Sequence, residues 1–162
     1  MLAPRLLEGL RILVVEDNLL LAEVTKILLE DSGCEVVGPA GWLQRGRELA
    51  EHEPLDGAIL DINLHGEMSF PIAEVLRTRG VPFVFVTGYE DRSIVPMAYR
   101  SAPRLDKPVP DERLMEVLVA AFTAKRPDSD PQADMISSAG NAAGERSLRA
   151  GKGAARGTRI RR

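Results

Sequence analysis

Four short apolar runs, most of them rich in β-branched residues, recur along the first two thirds of the chain, and a weaker fifth candidate strand follows them. They cover residues 10–15, 34–38, 58–62, 83–86 and 104–106. An apolar run of this length between turn signals is typical of a buried strand, and strands that alternate with helical stretches favour a parallel sheet. The sequence therefore predicts a doubly wound α/β domain with five strands alternating with five helices, which lie on both faces of the sheet.

The helical stretches between these runs differ in quality. Residues 19–31, 41–52, 71–79 and 110–124 have the apolar spacing or the end signals of helices. Residues 91–99 do not, and Pro96 interrupts them, so a short or irregular fourth helix is expected. In the second helix we expect Leu43 and Leu49 to face inward, and Trp42 to pack the helix onto the sheet. Cys34 is expected to fill the core as a small hydrophobe.

Charge separates the chain into an acidic part and a basic tail. Residues 127–162 contain seven Lys or Arg and four Asp or Glu, a net of +3, whereas the whole chain carries −3. This segment has no apolar period and cannot bury enough surface to offset its ordering entropy. We therefore expect a lead-in at residues 1–9, a folded domain at residues 10–126 and a disordered tail at residues 127–162.

Two features bear on the compartment. The single cysteine excludes an intrachain disulfide and suits a reducing environment. No apolar run approaches the roughly 20 residues that span a bilayer, and the first ten residues lack an uninterrupted apolar signal core. The sequence predicts a cytoplasmic protein without a membrane partner.

Polar side chains end three of the predicted strands. Glu16 and Asp17 follow the first, Asp61 ends the third and Thr87 ends the fourth. Parallel strands end at one sheet edge, where ligands bind in such folds. Clustered carboxylates repel unless a cation lies among them, and Mg²⁺ prefers such hard oxygen ligands. A carboxylate can attack phosphorus, and Lys107 after the fifth strand could neutralise phosphoryl oxygens. We therefore predict that Asp61 is a phosphoacceptor at a Mg²⁺ site.

From about residue 10 to residue 124 the chain resembles the receiver domain of two-component response regulators. The matching motifs are Val14-Val15-Glu16-Asp17-Asn18, Leu60-Asp61-Ile62-Asn63, Val86-Thr87-Gly88 and Asp106-Lys107-Pro108. The resemblance implies a flavodoxin-like fold with strand order 2-1-3-4-5. It implies that Asp61 accepts a phosphoryl group from a sensor histidine kinase, and that the bond before Pro108 is cis. It also implies a Mg²⁺ site made by Glu16, Asp17, Asp61 and the main-chain oxygen of Asn63.

The chain departs from the common receiver pattern at one position. Many receivers carry an aromatic residue three positions before the lysine, which moves inward with the threonine on activation. Arg104 stands there, so this switch cannot operate unchanged, and we expect a surface arginine. Residues 85–89 resemble a Phe-x-Thr-Gly-x-Tyr-like signature of stand-alone alphaproteobacterial regulators, which are often associated with sensor kinases of the HWE type. Tyr89 is then the candidate for the missing aromatic role.

Several alternatives remain open at this point. Acidic residues after a strand can cap a helix, although Asn18 could serve as that cap and leave Glu16 and Asp17 for a metal. His52 and His65 lack metal-ligand spacing and are expected at the surface.

The favoured function is a non-enzymatic, single-domain response regulator that acts through a downstream protein, a homodimer contact or as a phosphate sink. An aspartate-based phosphohydrolase is an alternative, although such enzymes usually carry a second Asp where Asn63 stands. Nucleic-acid binding through the tail is another, although the tail has no interleaved aromatic residues.

Overall fold

A computed structural model describes residues 5–88 and 93–124 of the chain. These residues belong to the compact unit Met1–Lys125, one of two into which the chain divides. Five parallel strands form one sheet in the order β2-β1-β3-β4-β5. They are β1 (Arg11–Val15), β2 (Glu35–Ala40), β3 (Gly57–Asp61), β4 (Phe83–Thr87) and β5 (Arg104–Asp106). The predicted flavodoxin-like sheet and its strand order are confirmed.

Four α-helices connect and follow these strands in the described residues. They are α1 (Leu19–Asp31), α2 (Leu43–His52), α3 (Phe70–Thr78) and α4 (Asp111–Phe122). The predicted short or irregular fourth helix, between β4 and β5, is the 3-10 turn Met97–Tyr99 in the part described. Pro96 directly precedes this turn and limits it, because proline cannot donate a main-chain hydrogen bond. None of the helices described is both long and apolar enough to cross a bilayer.

Alternating strand residues divide the core into two clusters, one on each face of the sheet. The face toward α2 and α3 carries Leu13, Val15, Leu60 and Phe85. The face toward α1 and α4 carries Ile12, Val14, Ile59 and Val84. Both faces of a parallel sheet are buried under helices, which explains the continuous apolar runs in the sequence. The buried thiol of Cys34 lies in the second cluster, as predicted.

The helix α1 begins as expected but presents an apolar stripe to solvent. The side chain of Asn18 accepts hydrogen bonds from the main-chain N–H groups of Leu20 and Leu21 at 3.1 Å, so Asn18 is the cap. The exposed fraction is 74% for Leu20 and 50% for Ile27, and Val24 between them is also exposed. The periodicity predicted the helix correctly, but only Ala22 and Leu29 are fully buried in it.

The expected packing of Trp42 onto the sheet is wrong. Trp42 is 60% exposed and stacks on His65, with 4.0 Å between the ring centroids and 25° between the ring planes. His65 lies in the turn of a small hairpin, where Asn63–Leu64 pairs antiparallel with Glu67–Met68. Leu49 is buried and Leu43 packs against the same cluster, so these two residues already hold α2 to the sheet. The Trp42 ring therefore packs against the hairpin turn instead of the sheet.

Candidate functional site

The acidic residues meet because their strands are neighbours in register. Glu16 and Asp17 directly follow β1, and Asp61 is the last residue of β3. The last residue of β1, Val15, is paired with Leu60, so the two strands end at the same level. One carboxylate oxygen from each of the three acids lies within 4.8 Å of the others. The structure thus brings together the three carboxylates that the sequence singled out.

Lys107 joins two of these acids. Its Nζ lies 2.6 Å from Glu16 Oε2 and 2.9 Å from Asp61 Oδ2. The residue follows β5, and its main-chain N–H donates to the carbonyl oxygen of Thr87 at 2.8 Å. The bond between Lys107 and Pro108 is cis, as the resemblance implied. The ammonium group therefore contacts the predicted acceptor itself.

The protonation of Glu16 and Lys107 is determined by their burial and by the contacts between Lys107 and the two acids. Burial raises the pKa of Glu16, and the repulsion from Asp61 adds to it, against the lowering effect of the Lys107 hydrogen bond. Burial would lower the pKa of Lys107, but its hydrogen bonds to Glu16 and Asp61 outweigh this effect and raise the pKa. Lys107 therefore remains a cation where a negatively charged group would arrive.

Asp17 has a different environment. Burial alone would raise its pKa, but the main-chain N–H of His65 donates to Asp17 Oδ2 at 2.9 Å, and this bond helps to hold the pKa below its ordinary value. Asp17 therefore stays ionised beside the more easily protonated Glu16. The hydrogen bond comes from the hairpin turn, a contribution that the sequence analysis did not predict.

The remaining predicted residues lie around this cluster. Thr87 is buried at the end of β4. The main-chain N–H of Asn63 lies 3.4 Å from Asp61 Oδ1, and its side-chain oxygen accepts a hydrogen bond from Gly66 N–H at 2.7 Å. Arg104 is half-buried on β5, paired with Phe85 of β4. Tyr89 lies outside the described residues.

A different aromatic residue packs behind the site. Tyr99, in the 3-10 turn, is buried against Phe70, Phe83 and Phe85, and its hydroxyl donates to Glu74 Oε2 at 2.7 Å. Phe85, which Tyr99 contacts, is two residues before Thr87 on β4. The sequence analysis missed Tyr99, although an aromatic residue just after a proline in a poorly helical segment was an available signal.

An apolar groove of about 340 Å³ opens beside the acids, between α1 and α4. Its walls include Leu21 and Val24 of α1, Ile59 of β3 and Leu114 of α4, and one end reaches Asp61 and Lys107. The groove is continuous with the exposed stripe of α1, because Val24 belongs to both. The apolar lining therefore extends from the exposed stripe of α1 to Asp61 and Lys107.

The donor set fits a hard divalent cation. Three carboxylates converge, two of them buried, and carboxylate oxygens are the ligands that Mg²⁺ prefers. Lys107 balances only part of this negative charge, so a bound cation would offset the remainder. Glu16, Asp17 and Asp61 are the residues that would hold it.

Comparison with known proteins gives the family. The family model of the response regulator receiver domain matches residues 12–119. The sensory transduction protein LytT of Bacillus anthracis is 31% identical over 113 residues, which cover 67% of this chain and 46% of LytT. The chain spans about half the length of the curated relatives it matches.

Solved structures show the same fold. The solution structure of SdrG from Sphingomonas melonis Fr1 is 37% identical with a TM-score of 0.61, and the match covers 69% of this chain and 95% of SdrG. The receiver domain of PA1611 from Pseudomonas aeruginosa PAO1, which has a magnesium ion in its active site cleft, shares the fold at 21% identity and a TM-score of 0.63, over 72% of this chain and 99% of that domain. The strand order, the acidic edge and the matched residues lead to one conclusion: the chain belongs to the response regulator receiver domain family.

Proposed function

We propose that this protein is a response regulator that accepts a phosphoryl group on Asp61 from a sensor histidine kinase. The observation that carries the proposal is the contact of Lys107 with both Glu16 and Asp61, at the edge where the apolar groove opens. A buried carboxylate held by a lysine and flanked by two more acids is suited to a nucleophile for phosphorus.

The chemistry follows from these contacts. An Asp61 carboxylate oxygen attacks the phosphorus of a phosphohistidine, the new P–O bond forms as the P–N bond breaks, and the imidazole leaves with the electron pair and takes up a proton. Lys107 then pairs with a phosphoryl oxygen, and the Thr87 hydroxyl donates to another. A Mg²⁺ ion held by Glu16, Asp17, Asp61 and the Asn63 carbonyl would neutralise charge on the phosphoryl oxygens.

The surface beside Asp61 supports a protein as the phosphoryl donor. The stripe formed by Leu20, Val24 and Ile27 offers apolar area to a partner, and an exposed contiguous patch of this kind is typical of interaction sites. A donor seated there would bring its histidine to the groove end at Asp61. The stand-alone alphaproteobacterial type and a kinase of the HWE type are proposed from the signature at residues 85–89 together with residues 66–71 upstream.

We propose that the downstream signal is passed on by the surface around β5. The 3-10 turn, β5 and α4 form the expected face for a downstream protein or a homodimer, and Met97 in the turn is exposed. If no such partner exists, the protein acts as a sink for phosphoryl groups. The cytoplasmic setting stays a prediction of the sequence. The domain limits at residues 10 and 126 and the disordered tail also stay predictions, and residues 125–162 lie outside those described.

A phosphohydrolase is less well supported. Such an enzyme needs an acid or base near the nucleophile to protonate the leaving group. The residue two positions after Asp61 is Asn63, whose side-chain oxygen accepts the Gly66 N–H. An amide does not act as a general acid or base at neutral pH. The aspartyl phosphate is therefore expected to hydrolyse slowly, and we expect no turnover of free phosphomonoesters.

Phosphotransfer from purified, radiolabelled sensor kinases tests the proposal. The wild type is expected to take up label from one kinase in the presence of Mg²⁺ and to lose this ability in EDTA. Asp61→Asn should abolish the transfer, whereas the matched control Asp31→Asn, an exposed carboxylate at the end of α1, should retain it. Equal labelling of Asp61→Asn would contradict the proposal, and rapid multiple turnover of a small phosphomonoester by the wild type would favour the hydrolase.

A further inference from the structure

In the hairpin that follows Asp61, His65 contacts both Asp17 of the acidic site and the ring of Trp42. His65 donates its main-chain N–H to Asp17 Oδ2 at 2.9 Å, and its ring Nδ1 lies 3.7 Å from the same oxygen. The ring itself stacks on Trp42 at 4.0 Å. His65 thus links Asp17 to Trp42, the residue that directly precedes α2.

His65 lies in a left-handed turn, a conformation in which most non-glycine residues are uncommon. His65 has a φ of +51° and is followed by Gly66 at +92°, which is the pattern of a two-residue hairpin turn with both residues left-handed. Asn and Gly adopt this conformation more readily than most residues, and Asn-Gly is the usual sequence for such a turn. Within the described residues, His65 is the one non-glycine with a positive φ. Histidine is tolerated in this conformation, but a left-handed turn does not need an imidazole ring, so the ring is available for another contact.

The tryptophan is equally unexplained by folding alone. Trp42 lies before the first residue of α2 and makes no side-chain capping bond there. It is 60% exposed and its stacking partner is 41% exposed, so the pair buries much less area than two rings in a core would. A ring pair of this geometry still restricts both side chains, since stacked aromatic contacts are favourable beyond their buried area.

We propose that the Trp42–His65 stack positions Asp17 for the divalent cation. The stack restricts the His65 turn, and the turn presents its N–H to Asp17, so the Asp17 carboxylate stays beside Glu16 and Asp61. Hydrogen-bonding partners of metal ligands commonly fix ligand orientation in this manner. The inference rests on the proposed function, because it concerns the cation of the same site, and it assigns Trp42 and His65 as positioning residues.

Mg²⁺ affinity, measured by isothermal titration calorimetry on the full chain, tests this assignment. His65→Asn keeps the main-chain N–H and suits the turn but removes the ring, and Trp42→Ala removes the other ring. Each is expected to weaken Mg²⁺ binding by about three- to tenfold, less than the about 10- to 100-fold typical of losing an outer-shell partner, because the N–H remains. The double variant should be no weaker than either single one, and Trp42→Tyr should restore affinity to within about twofold.

Controls separate this effect from a loss of stability and from a failure of the proposed function. His52→Asn, which changes an exposed histidine on α2, should bind Mg²⁺ as the wild type does. Every variant should also be fully folded in EDTA at the titration temperature, as thermal unfolding reports. Wild-type affinity in both single variants, or effects that add in the double variant, would overturn the inference while leaving the proposed function intact. A wild type without saturable Mg²⁺ binding would instead overturn the cation site itself.

Discussion

The two faces of the sheet are packed differently. On the face toward α2 and α3, Ile72, Ala73 and Leu76 of α3 are fully buried. On the face toward α1 and α4, a groove of about 340 Å³ runs to Asp61, and the stripe of α1 points to solvent. One face is closed by the chain itself, and the other keeps apolar area available next to the reactive carboxylate.

This difference separates stability from function. Buried, well-packed side chains contribute most of the free energy of unfolding, whereas exposed apolar groups contribute little to it. Buried side chains such as Ile72 should therefore contribute strongly to whether the domain folds. The stripe on α1 should control how a phosphoryl donor reaches Asp61, with little effect on folding.

Matched truncations on the two faces should give the largest contrast in stability. Ile72→Ala removes buried methyl groups from α3 and is expected to lower the free energy of unfolding by about 2–5 kcal/mol. Ile27→Ala, on the exposed stripe of α1, is expected to cost less than about 1 kcal/mol. Urea denaturation in EDTA measures both. Equal losses would show that the stripe of α1 is part of the folded core rather than a free surface.

Removal of the lysine at the sheet edge should give the next largest effect. Lys107→Ala leaves Glu16 and Asp61 buried without their cation, which is expected to cost about 1–3 kcal/mol at neutral pH without metal. The pKa of Glu16, already raised, should rise further. A raised folded-state pKa stabilises the fold below the ordinary value of 4.5 and loses that contribution as the pH rises through the folded value.

The deficit of Lys107→Ala should therefore shrink as the pH falls, and it should also shrink when Mg²⁺ is added at neutral pH. Thermal unfolding at several pH values, with and without Mg²⁺, measures both effects. Lys26→Ala, which removes a lysine on α1 outside the site, serves as the control. A deficit independent of both pH and Mg²⁺ would show that Lys107 acts only through packing.

The hydroxyl of Tyr99 should give a smaller, pH-dependent effect on the closed face. Burial and the hydrogen bond to Glu74 both raise the pKa of Tyr99 above 10.0. Its contribution to stability is therefore complete below pH 10.0 and is lost as the pH rises through the folded value. Tyr99→Phe should be slightly less stable than the wild type at pH 8, and this difference should shrink as the pH rises through the folded-state pKa. A difference that grows with pH in thermal unfolding would contradict this assignment.

Two serines should give the smallest effects, with opposite signs. The Ser69 hydroxyl, just before α3, is buried without a hydrogen-bond partner in the described structure, so Ser69→Ala is expected to raise stability by up to about 1 kcal/mol. Ser32 Oγ at the end of α1 donates to the Leu28 carbonyl at 2.9 Å, so Ser32→Ala should lower it by a similar amount. Chemical denaturation measures both, and a loss on Ser69→Ala would indicate a water molecule bonded to that hydroxyl.

Local patterns predicted much of the fold and of the acidic edge. The five runs, the cap at Asn18 and the ends of the strands at Asp61 and Thr87 depend on a few neighbouring residues, so the sequence alone contains them. The register of a parallel sheet then brings the strand ends together. The convergence of Glu16, Asp17 and Asp61 could therefore be predicted, and the structure places them as expected.

Other features could not be read from local patterns, because they depend on contacts between distant residues. The hydrogen bond from Tyr99 to Glu74 spans 25 positions, and the one from His65 to Asp17 spans 48. Each depends on how a loop lies against another element. The resemblance to receivers directed attention to Arg104 and Tyr89, whereas the buried aromatic residue behind the site is Tyr99.

The sequence by itself determined the class of fold and the chemistry at one edge of the sheet, because strand periodicity and side-chain type are properties of short segments. Only the tertiary structure decided where the apolar face of α1 points and what Trp42 contacts. Helical spacing shows which residues share a face, but the direction of that face depends on how the whole helix packs. That packing directs the stripe of α1 to solvent and the ring of Trp42 to His65.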